Sequence, residues 1–270
     1  MPIARASLAH SLETVPLFDV PLALTDHQEV VALVNERLRN PYAPLRLDAT
    51  NTMGMAESCV DPRLRDAMLG YDYLLPDGMP LVWCLRLKGA PIQHSVAGPI
   101  LIRHLLAGLE RPTRIAVVGM HENQHREIVA RTREPFPNAE FVSMDDVPYG
   151  PIDDRFVGGT LGRIRESRAE LVFVCLGVPR QYYWMGLAGR DLGDRVAVSV
   201  GGAFAYLIGE ATIAPMWMQR AGLWWLHRVV HDPKRLGPRY FKYNPMFLRL
   251  FVTRELFGGR LRAQRYRPSR

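Results

Sequence analysis

LVFVCLG, residues 171–177, decides the fold: six apolar residues stand in a row and a glycine closes them. Such a run, rich in Val and without polar alternation, is typical of a strand buried on both faces of a sheet. RIAVVG, residues 114–119, has the same form. Stretches with helical spacing of apolar residues lie between such runs. The alternation predicts an α/β fold in which helices cover both faces of a parallel sheet.

The same two patterns predict the remaining elements. Further strands are expected at 45–49, 73–75, 139–143 and 195–200. Helices are expected at 25–39, 55–59, 62–70, 79–89 and 160–167, and another follows RIAVVG and runs to residue 133. Thr25 or Asp26 is suited to cap the first helix, and Pro62 has the first helical position, which proline favours. Residues 1–15 are expected to be loosely ordered.

The composition, 48% hydrophobic and 23% charged over 270 residues, is that of a soluble globular protein. Three widely spaced cysteines without a CxxC pair fit a reducing compartment and argue against a disulfide framework. Neither a signal peptide nor an apolar run long enough to span a membrane is visible. We therefore expect a cytoplasmic location.

The charge is unevenly distributed along the chain. Residues 218–270 contain 13 Lys and Arg against two acidic residues, whereas the preceding 217 residues have a small acidic excess. The basic segment also contains many aromatic residues, among them Trp224, Trp225 and Tyr240. It fits an anionic membrane surface, a nucleic acid, or a helical core with a solvated basic face. We favour the membrane and expect no nucleic-acid partner.

Polar or glycine-rich turns follow most of the predicted strands. Ligands of open parallel sheets bind at the carboxyl ends of the strands, so these turns are expected to form one site. They are Thr50-Asn51, Asp77-Gly78, Gly119, Tyr149-Gly150, Gly177–Gln181 and Gly201-Gly202.

Asp77, in LLPDGMPLVW (residues 74–83), has two interpretations. Acidic residues are favoured in the first turn of a helix, where they interact with its dipole. Alternatively, Pro76 and Gly78 form a rigid turn that holds the carboxylate at a strand end, where it can act as a general base.

The glycines at 177, 201 and 202 also have two interpretations. No GxGxxG or GxxxxGK[ST] motif occurs, but GVPRQ and VGGAF can bring backbone N–H groups close to a phosphate. Arg180 suits a diphosphate, and the Gln181 amide suits a base or a sugar hydroxyl. The alternative is a pair of tight turns and a solvent-facing loop.

HENQH, residues 121–125, matches the HExxH pattern of zinc hydrolases. No third ligand is evident downstream, and the motif follows directly after a predicted strand. The favoured interpretation is therefore the solvated first turn of an ordinary helix, and a zinc hydrolase based on His121 and His125 is the minor alternative. No metal site is predicted.

Six segments together resemble the WecG/TagA/CpsF glycosyltransferases, glycosyltransferase family 26. In order they are TNTMGMAESCVDPRLRDAM (50–68), YDYLLPDGMPLVW (71–83), RIAVVG (114–119), LVFVCLGVPRQYYW (171–184), VGGAFAYLIGE (200–210) and APMWMQRAGLWWLHRVVHDPKRLGPRY (214–240). The resemblance implies a Rossmann-like core and a helical, basic, membrane-associating C-terminal appendage. The change of charge at Met218 matches this plan and places the core at residues 1–217 and the appendage at residues 218–270.

The resemblance also implies an activity. Such enzymes move a sugar from a nucleotide-sugar donor, usually UDP-linked, to a polyprenyl-diphosphate-linked sugar acceptor, in the biosynthesis of surface polysaccharides. They invert the anomeric centre, use neither a cofactor nor a metal, and work on the cytoplasmic face of the cell membrane. Members often self-associate, so a homo-oligomer is among the implied partners.

Site residues carry over by position. Asp77 matches the proposed general base, Asn51 beside Thr50 a donor-site asparagine, Tyr149 a site tyrosine, and Gln181 the glutamine of the GxPRQ turn, which also contains Gly177 and Arg180. Gly201 and Gly202 belong to the GGAF turn. In the appendage, the basic residues implied to meet diphosphate or membrane are Arg220, Arg228, Lys234 and Arg235.

The chain departs from the family pattern at five polar positions. The residues found there are Ala49 in place of Thr, Ser95 in place of Arg, Ile100 in place of Asp, Tyr182 in place of Glu, and Ala205 in place of a nucleotide-binding Asp. These losses leave an alternative: a degenerate member that binds lipid or partner proteins without catalysis.

Overall fold

A computed structural model describes residues 11–146 and 150–263. The strands are β1 (Thr14–Leu17), β2 (Val20–Ala23), β3 (Leu45–Thr50), β4 (Tyr73–Pro76), β5 (Thr113–Val118), β6 (Ala139–Asp145), β7 (Leu171–Val174) and β8 (Val196–Ser199). Between β2 and β8 lie α1 (His27–Arg39), α2 (Thr52–Ser58), α3 (Pro62–Leu69), α4 (Met79–Leu87), α5 (Gly98–Ala107), α6 (Glu122–Thr132), α7 (Asp154–Glu166) and α8 (Arg180–Ala188).

After β8 the described chain is helical. A 3₁₀ turn at Gly201–Ala203 leads into α9 (Phe204–Leu207), followed by α10 (Met216–Arg220), α11 (Trp224–His231) and α12 (Pro233–Leu250). A π-helical segment, Phe251–Leu256, and α13 (Arg260–Ala263) complete it. The predicted helical, basic C-terminal segment is therefore present, although its role and the boundary at residue 218 remain predictions.

The strands form one eight-stranded sheet in the order β1-β2-β4-β3-β8-β7-β5-β6. Only β1 and β2 pair antiparallel; every other pair is parallel. Two apolar clusters pack on the sheet, which confirms the α/β prediction. The strands β4, β3, β8 and β7 are contiguous, so four of the predicted turns project side by side from one edge.

The expectation for residues 1–15 was wrong at its C-terminal end. Thr14 and Val15 belong to β1, which forms a hairpin with β2. Phe18 and Asp19 make the turn with positive φ angles of 53° and 64°, as a two-residue hairpin with right-handed strand twist requires. The apolar alternation of VPLFDVPLA was the available signal. Residues before 11 lie outside the described range.

The C-terminal helices pack against the core rather than extending away from it. Helix α12 lies on α2, and Phe247 makes an edge-to-face contact with Phe18 at 5.6 Å between ring centroids. Further along, Glu255 is fully buried; it forms an ion pair with the equally buried Lys88 and accepts the N–H of Phe18 at 2.8 Å. Part of the aromatic content of this segment is therefore core.

Other apolar side chains of the C-terminal helices face outward. Phe241 and Phe257 are 73% and 84% exposed, and Trp217 and Val230 are also largely exposed. Within the described ranges, no helix combines the length and apolar character needed to cross a bilayer.

Candidate active site

Asp77 lies directly after β4, at the carboxyl edge of the sheet. Its N–H donates to the carbonyl of Thr50 on the adjacent strand at 2.7 Å, which fixes the turn. Gly78 follows with a φ of 104°, a conformation that favours glycine. The side chain is half-buried. Asp77 is therefore held at the strand end and does not cap α4, whose N-cap is Gly78.

Helix α5 was not predicted, and its N-terminus meets Asp77. The N–H of Gly98 donates to the Asp77 carboxylate, and helix N-termini favour negative charge. A Cβ at Gly98 would stand 3.1 Å from the carbonyl oxygen of Val200, so the close approach favours glycine. The Gly98-Pro99 pair before an amphipathic run was the signal that the helix begins here.

Burial raises the pKa of Asp77 to about 7. The positive charge of Arg228 and the N–H of Gly98 act in the opposite direction, whereas the nearby Asp48 carboxylate raises the pKa further. A carboxyl group with a pKa near neutrality is suited to accept a proton at physiological pH.

Arg228, on α11, brings the C-terminal segment to Asp77. Its guanidinium donates to the Tyr240 hydroxyl at 3.0 Å, and Tyr206 lies close enough to act on it electrostatically. Trp83, on α4, packs against Gly222, where a Cβ would stand 2.6 Å from the indole ring. These contacts hold the start of α11 against the sheet edge.

The other appendage residues of the predicted set are more peripheral. Arg220, Lys234 and Arg235 are exposed. Arg235 forms an ion pair with Asp232, which caps α12. Among the four predicted basic residues, Arg228 acts electrostatically on Asp77 and lowers its pKa.

Asn51 and Thr50 follow β3 but differ in accessibility. Asn51 caps α2, with its Oδ1 accepting the N–H groups of Met53 at 3.1 Å and Gly54 at 3.2 Å. The half-buried side chain leaves its NH₂ group for other partners. Thr50 is fully buried and donates its hydroxyl to Asp48. Its side chain is therefore part of the support below the site.

Asp48 is a buried carboxylate that the sequence reasoning missed. It accepts hydrogen bonds from Thr50, from the Tyr182 hydroxyl at 2.8 Å and from Gln181 Nε2 at 2.5 Å. Burial raises its pKa to about 6, against the opposite effect of these three donors. An acid inside the strand LRLDAT was the signal, because a buried charge requires partners.

Gln181 is also more buried than predicted. Its side chain is 2% exposed and reaches Asp48, while Gly177 and Gly201 turn beside it with φ angles of 72° and 53°. Gly202 lies in the 3₁₀ turn that follows. The structure thus brings Gln181 and these turns together at the ends of β7 and β8.

Arg180 projects to the neighbouring side of α8. Its guanidinium donates to the carbonyl of Gly150 at 3.3 Å. It lines an open cleft between α3 and α8 with a volume of about 720 Å³, together with Arg63 and Tyr183. Tyr149 lies outside the described residues.

HENQH contributes the start of α6. His121 is its N-cap, and His125 Nε2 lies 3.9 Å from an oxygen of Asp146. Across residues 11–146 and 150–263, no group of three or more His, Cys, Asp or Glu side chains is arranged to hold a metal ion.

A family model described as the Glycosyl transferase WecG/TagA/CpsF family matches residues 15–261. The chain belongs to the WecG/TagA/CpsF glycosyltransferase family. The resemblance drawn from the motifs is thereby confirmed, and with it the expectation of a glycosyltransferase.

Two curated relatives of this glycosyltransferase come from Bacillus spizizenii (strain ATCC 23059 / NRRL B-14472 / W23) and Bacillus subtilis (strain 168). The first is 29% identical over 180 residues, covering 66% of this chain and 68% of the relative. The second is 27% identical over 171 residues, covering 63% and 65%. Each is named N-acetylglucosaminyldiphosphoundecaprenol N-acetyl-beta-D-mannosaminyltransferase.

The five positions at which the resemblance implies departures of this glycosyltransferase from the family pattern lie around the same edge. Ala49 is buried in β3, Tyr182 donates to Asp48, and Ala205 stands in α9 after the Gly201–Ala203 turn. Ser95 and Ile100 flank the start of α5, near the Gly98 N–H that meets Asp77.

Proposed function

We propose that the protein is an inverting glycosyltransferase that moves a sugar from a nucleotide-sugar, UDP-linked, to a polyprenyl-diphosphate-linked sugar. The observation that carries the proposal is the position of Asp77: a carboxylate with a pKa of about 7 at the sheet edge where ligands of such folds bind. The names of both relatives, which describe an undecaprenol-diphosphate acceptor, support the acceptor class.

Asp77 acts as the general base. Its carboxylate takes the proton from the acceptor hydroxyl while the hydroxyl oxygen attacks the anomeric carbon. The new glycosidic C–O bond forms on one face of the sugar as the bond to the diphosphate breaks on the other. The electron pair of the broken bond leaves on the nucleoside diphosphate, and the configuration at the anomeric carbon is inverted.

Arg228 stabilises the negative charge that develops on the leaving diphosphate. A guanidinium already held by Tyr240 needs little reorganisation, and preorganised charges are the strongest contributors to such catalysis. Arg220, Lys234 and Arg235 add positive charge nearer the solvent. In this proposal these side chains carry the charge stabilisation, and no metal ion takes part.

The nucleotide-sugar donor is proposed to bind to the residues of the strand-end turns: Asn51, Gly177, Arg180, Gln181, Gly201 and Gly202. Thr50 lies beneath them, and Tyr149 is assigned to this side of the site by resemblance alone. The Asn51 side chain is half-buried, and its Oδ1 is occupied by the N–H groups of Met53 and Gly54, so its NH₂ group is the end offered to a ligand. Glycine turns with positive φ let a phosphate or sugar approach the backbone.

The C-terminal helices attach the protein to the inner face of the cell membrane. Exposed Phe241, Phe257 and Trp217 accompany the basic residues of the same segment. This combination suits the interface of an anionic bilayer. We assign residues 218–270 to this appendage and residues 1–217 to the catalytic core. A second copy of the chain is among the proposed partners.

A donor screen tests the proposal. Purified protein is incubated with a synthetic polyprenyl-diphosphate N-acetylglucosamine and a panel of UDP- and GDP-sugars, with and without EDTA. Transfer from one UDP-sugar, unaffected by EDTA and with an inverted linkage by NMR, is expected. Failure of every nucleotide and nucleotide-sugar to bind in calorimetric titration would instead indicate the non-catalytic, degenerate member.

A further inference from the structure

The Gln181 amide is held in one orientation by Asp48. Its Nε2 donates to Asp48 Oδ1 at 2.5 Å, and both side chains are buried, with 0% of Asp48 and 2% of Gln181 exposed. Turning the amide over would place its oxygen against a carboxylate oxygen, and neither atom carries a proton to share. The carboxylate thus decides which end of the amide faces it.

The opposite end of the amide, the oxygen Oε1, is buried but unpaired within the part of the chain that the structure describes. It lies beside Gly201, where a Cβ would stand 3.6 Å from it and 3.9 Å from the Gly177 Cα. Buried polar atoms nearly always have a partner, so an unpaired one at a ligand-facing edge needs an explanation.

We propose that Asp48 is a positioning residue that locks the Gln181 carbonyl oxygen towards the Gly177 and Gly201 turns, where it accepts a hydrogen bond from an N–H or O–H of the nucleotide-sugar. The inference rests on the proposed function, because it concerns the same donor. It narrows the chemistry: the ligand group that reaches Oε1 must be a hydrogen donor, on either the nucleotide or the sugar.

The other donors to Asp48 support this role. Thr50 and Tyr182 both donate to Oδ2, which leaves Oδ1 to Gln181. Tyr182 stands close over Gly54, where a Cβ would be 2.7 Å from the phenol oxygen. The carboxylate is therefore fixed from one side by two hydroxyl groups and fixes the amide on its other side.

Asp48→Asn reverses the amide while conserving volume. The two hydroxyl donors retain an acceptor if Asn Oδ1 faces them, so the Asn NH₂ group faces residue 181. Gln181 then turns its oxygen to that NH₂ and presents Nε2 to the ligand. Two hydrogen-bond donors then face each other, and the affinity for the nucleotide-sugar falls. In Asp48→Asn/Gln181→Glu, the glutamate accepts from the asparagine and again presents an acceptor.

The experiment compares wild type, Asp48→Asn, Gln181→Glu and the double variant. Donor kinetics with UDP-N-acetylmannosamine give KM and kcat, and calorimetry gives affinities for that sugar nucleotide and for UDP alone. For Asp48→Asn we expect about a tenfold rise in KM with kcat changed far less, the scale of one mismatched hydrogen bond. The double variant should regain most of the affinity for the sugar nucleotide. Gln181→Glu should lose most of that affinity, because it places a second carboxylate next to that of Asp48.

Ser199→Ala is the matched control. Ser199 is equally buried, pairs with Asp48 across β3 and β8, and bonds to Tyr71 rather than to the Asp48 carboxylate. Its KM is expected to equal that of wild type. An equal loss in this control, unchanged affinity in Asp48→Asn, or no recovery in the double variant overturns the inference.

A comparison of UDP with the sugar nucleotide shows which part of the ligand carries the hydrogen donor. If Asp48→Asn weakens UDP as much as the sugar nucleotide, the hydrogen donor is on the nucleotide; if UDP is unaffected, it is on the sugar. Both support the inference. If wild type binds neither compound, the proposed UDP donor fails, and the inference fails with it.

Discussion

Arg228, in the basic C-terminal segment, acts electrostatically on Asp77, at the end of a central strand of the sheet. The two residues are separated by about 150 positions in the sequence and meet because α11 packs over the carboxyl edge. The proposed base and the charge proposed to stabilise the leaving group therefore come from distant parts of the chain. A core that lacked the C-terminal helices would have Asp77 without the positive charge of Arg228.

Removal of Arg228 is expected to move the pH profile as well as the rate. Its positive charge lowers the pKa of Asp77, so Arg228→Ala shifts the acidic limb of kcat/KM above its wild-type position near pH 7. The rate at the optimum falls about 10²-fold, the scale for loss of a preorganised donor. Arg228→Lys, which retains the charge, keeps the limb near its wild-type pH. An unmoved limb in Arg228→Ala contradicts the assignment.

Protein stability should fall as the pH rises from about 4 to about 6, because the buried Asp48 carboxyl loses its proton over this range. Burial raises the pKa of Asp48 from 3.8 to about 6, so its contribution is full below about pH 4 and is lost as the pH passes 6. By linkage the change amounts to about 3 kcal/mol at most. Urea unfolding at several pH values measures it. Asp48→Asn should flatten this decline, and a slope identical to wild type would exclude Asp48 as its source.

The buried ion pair between Lys88 and Glu255 should matter for docking the C-terminal segment. Lys88→Met leaves the Glu255 carboxylate buried without its counter-ion, which costs about 3–5 kcal/mol. Lys88→Met/Glu255→Gln removes the charge and keeps an acceptor for the Phe18 N–H, so it should recover most of the loss. Chemical denaturation provides the comparison. A loss of unfolding free energy below about 1 kcal/mol for the single variant would contradict this, because it would equal the small contribution of an ordinary surface ion pair.

Membrane attachment should depend on the outward-facing aromatics of the C-terminal helices. Phe241→Ser/Phe257→Ser removes two side chains that are largely exposed, and we expect it to reduce co-sedimentation with phosphatidylglycerol vesicles. Val129→Ser, an exposed apolar position on α6, is the control and should bind as wild type does. Equal binding by all three proteins would remove these phenylalanines from the membrane contact.

Local patterns predicted the framework well, because strand burial and helix caps are encoded by neighbours in sequence. The predicted strands appear with shifts of one or two residues, and of the two predicted caps, Thr25 or Asp26, it is Asp26 that caps α1. The hairpin β1–β2 escaped notice because its strands are only four residues each. Helix α5 was missed although Gly98-Pro99 marked its start.

The site was only partly predictable, since its contacts join distant positions. The convergence of turns followed from sheet topology, and Asp77 stood out through its turn. The sequence could not indicate that Asp48 would fix Gln181, 133 residues away, or that Arg228 would be the basic residue acting on Asp77. Both depend on packing of elements that share no local pattern.

Asp77→Asn tests the central claim most directly. The amide keeps the shape of the side chain but cannot accept the proton, so transfer to a polyprenyl-diphosphate sugar should fall by about 10²–10⁴. Calorimetric affinity for the donor should remain close to wild type, which shows that the fold and the donor side are intact. That combination is the predicted result. Near-normal turnover by Asp77→Asn, at any pH, would contradict the account.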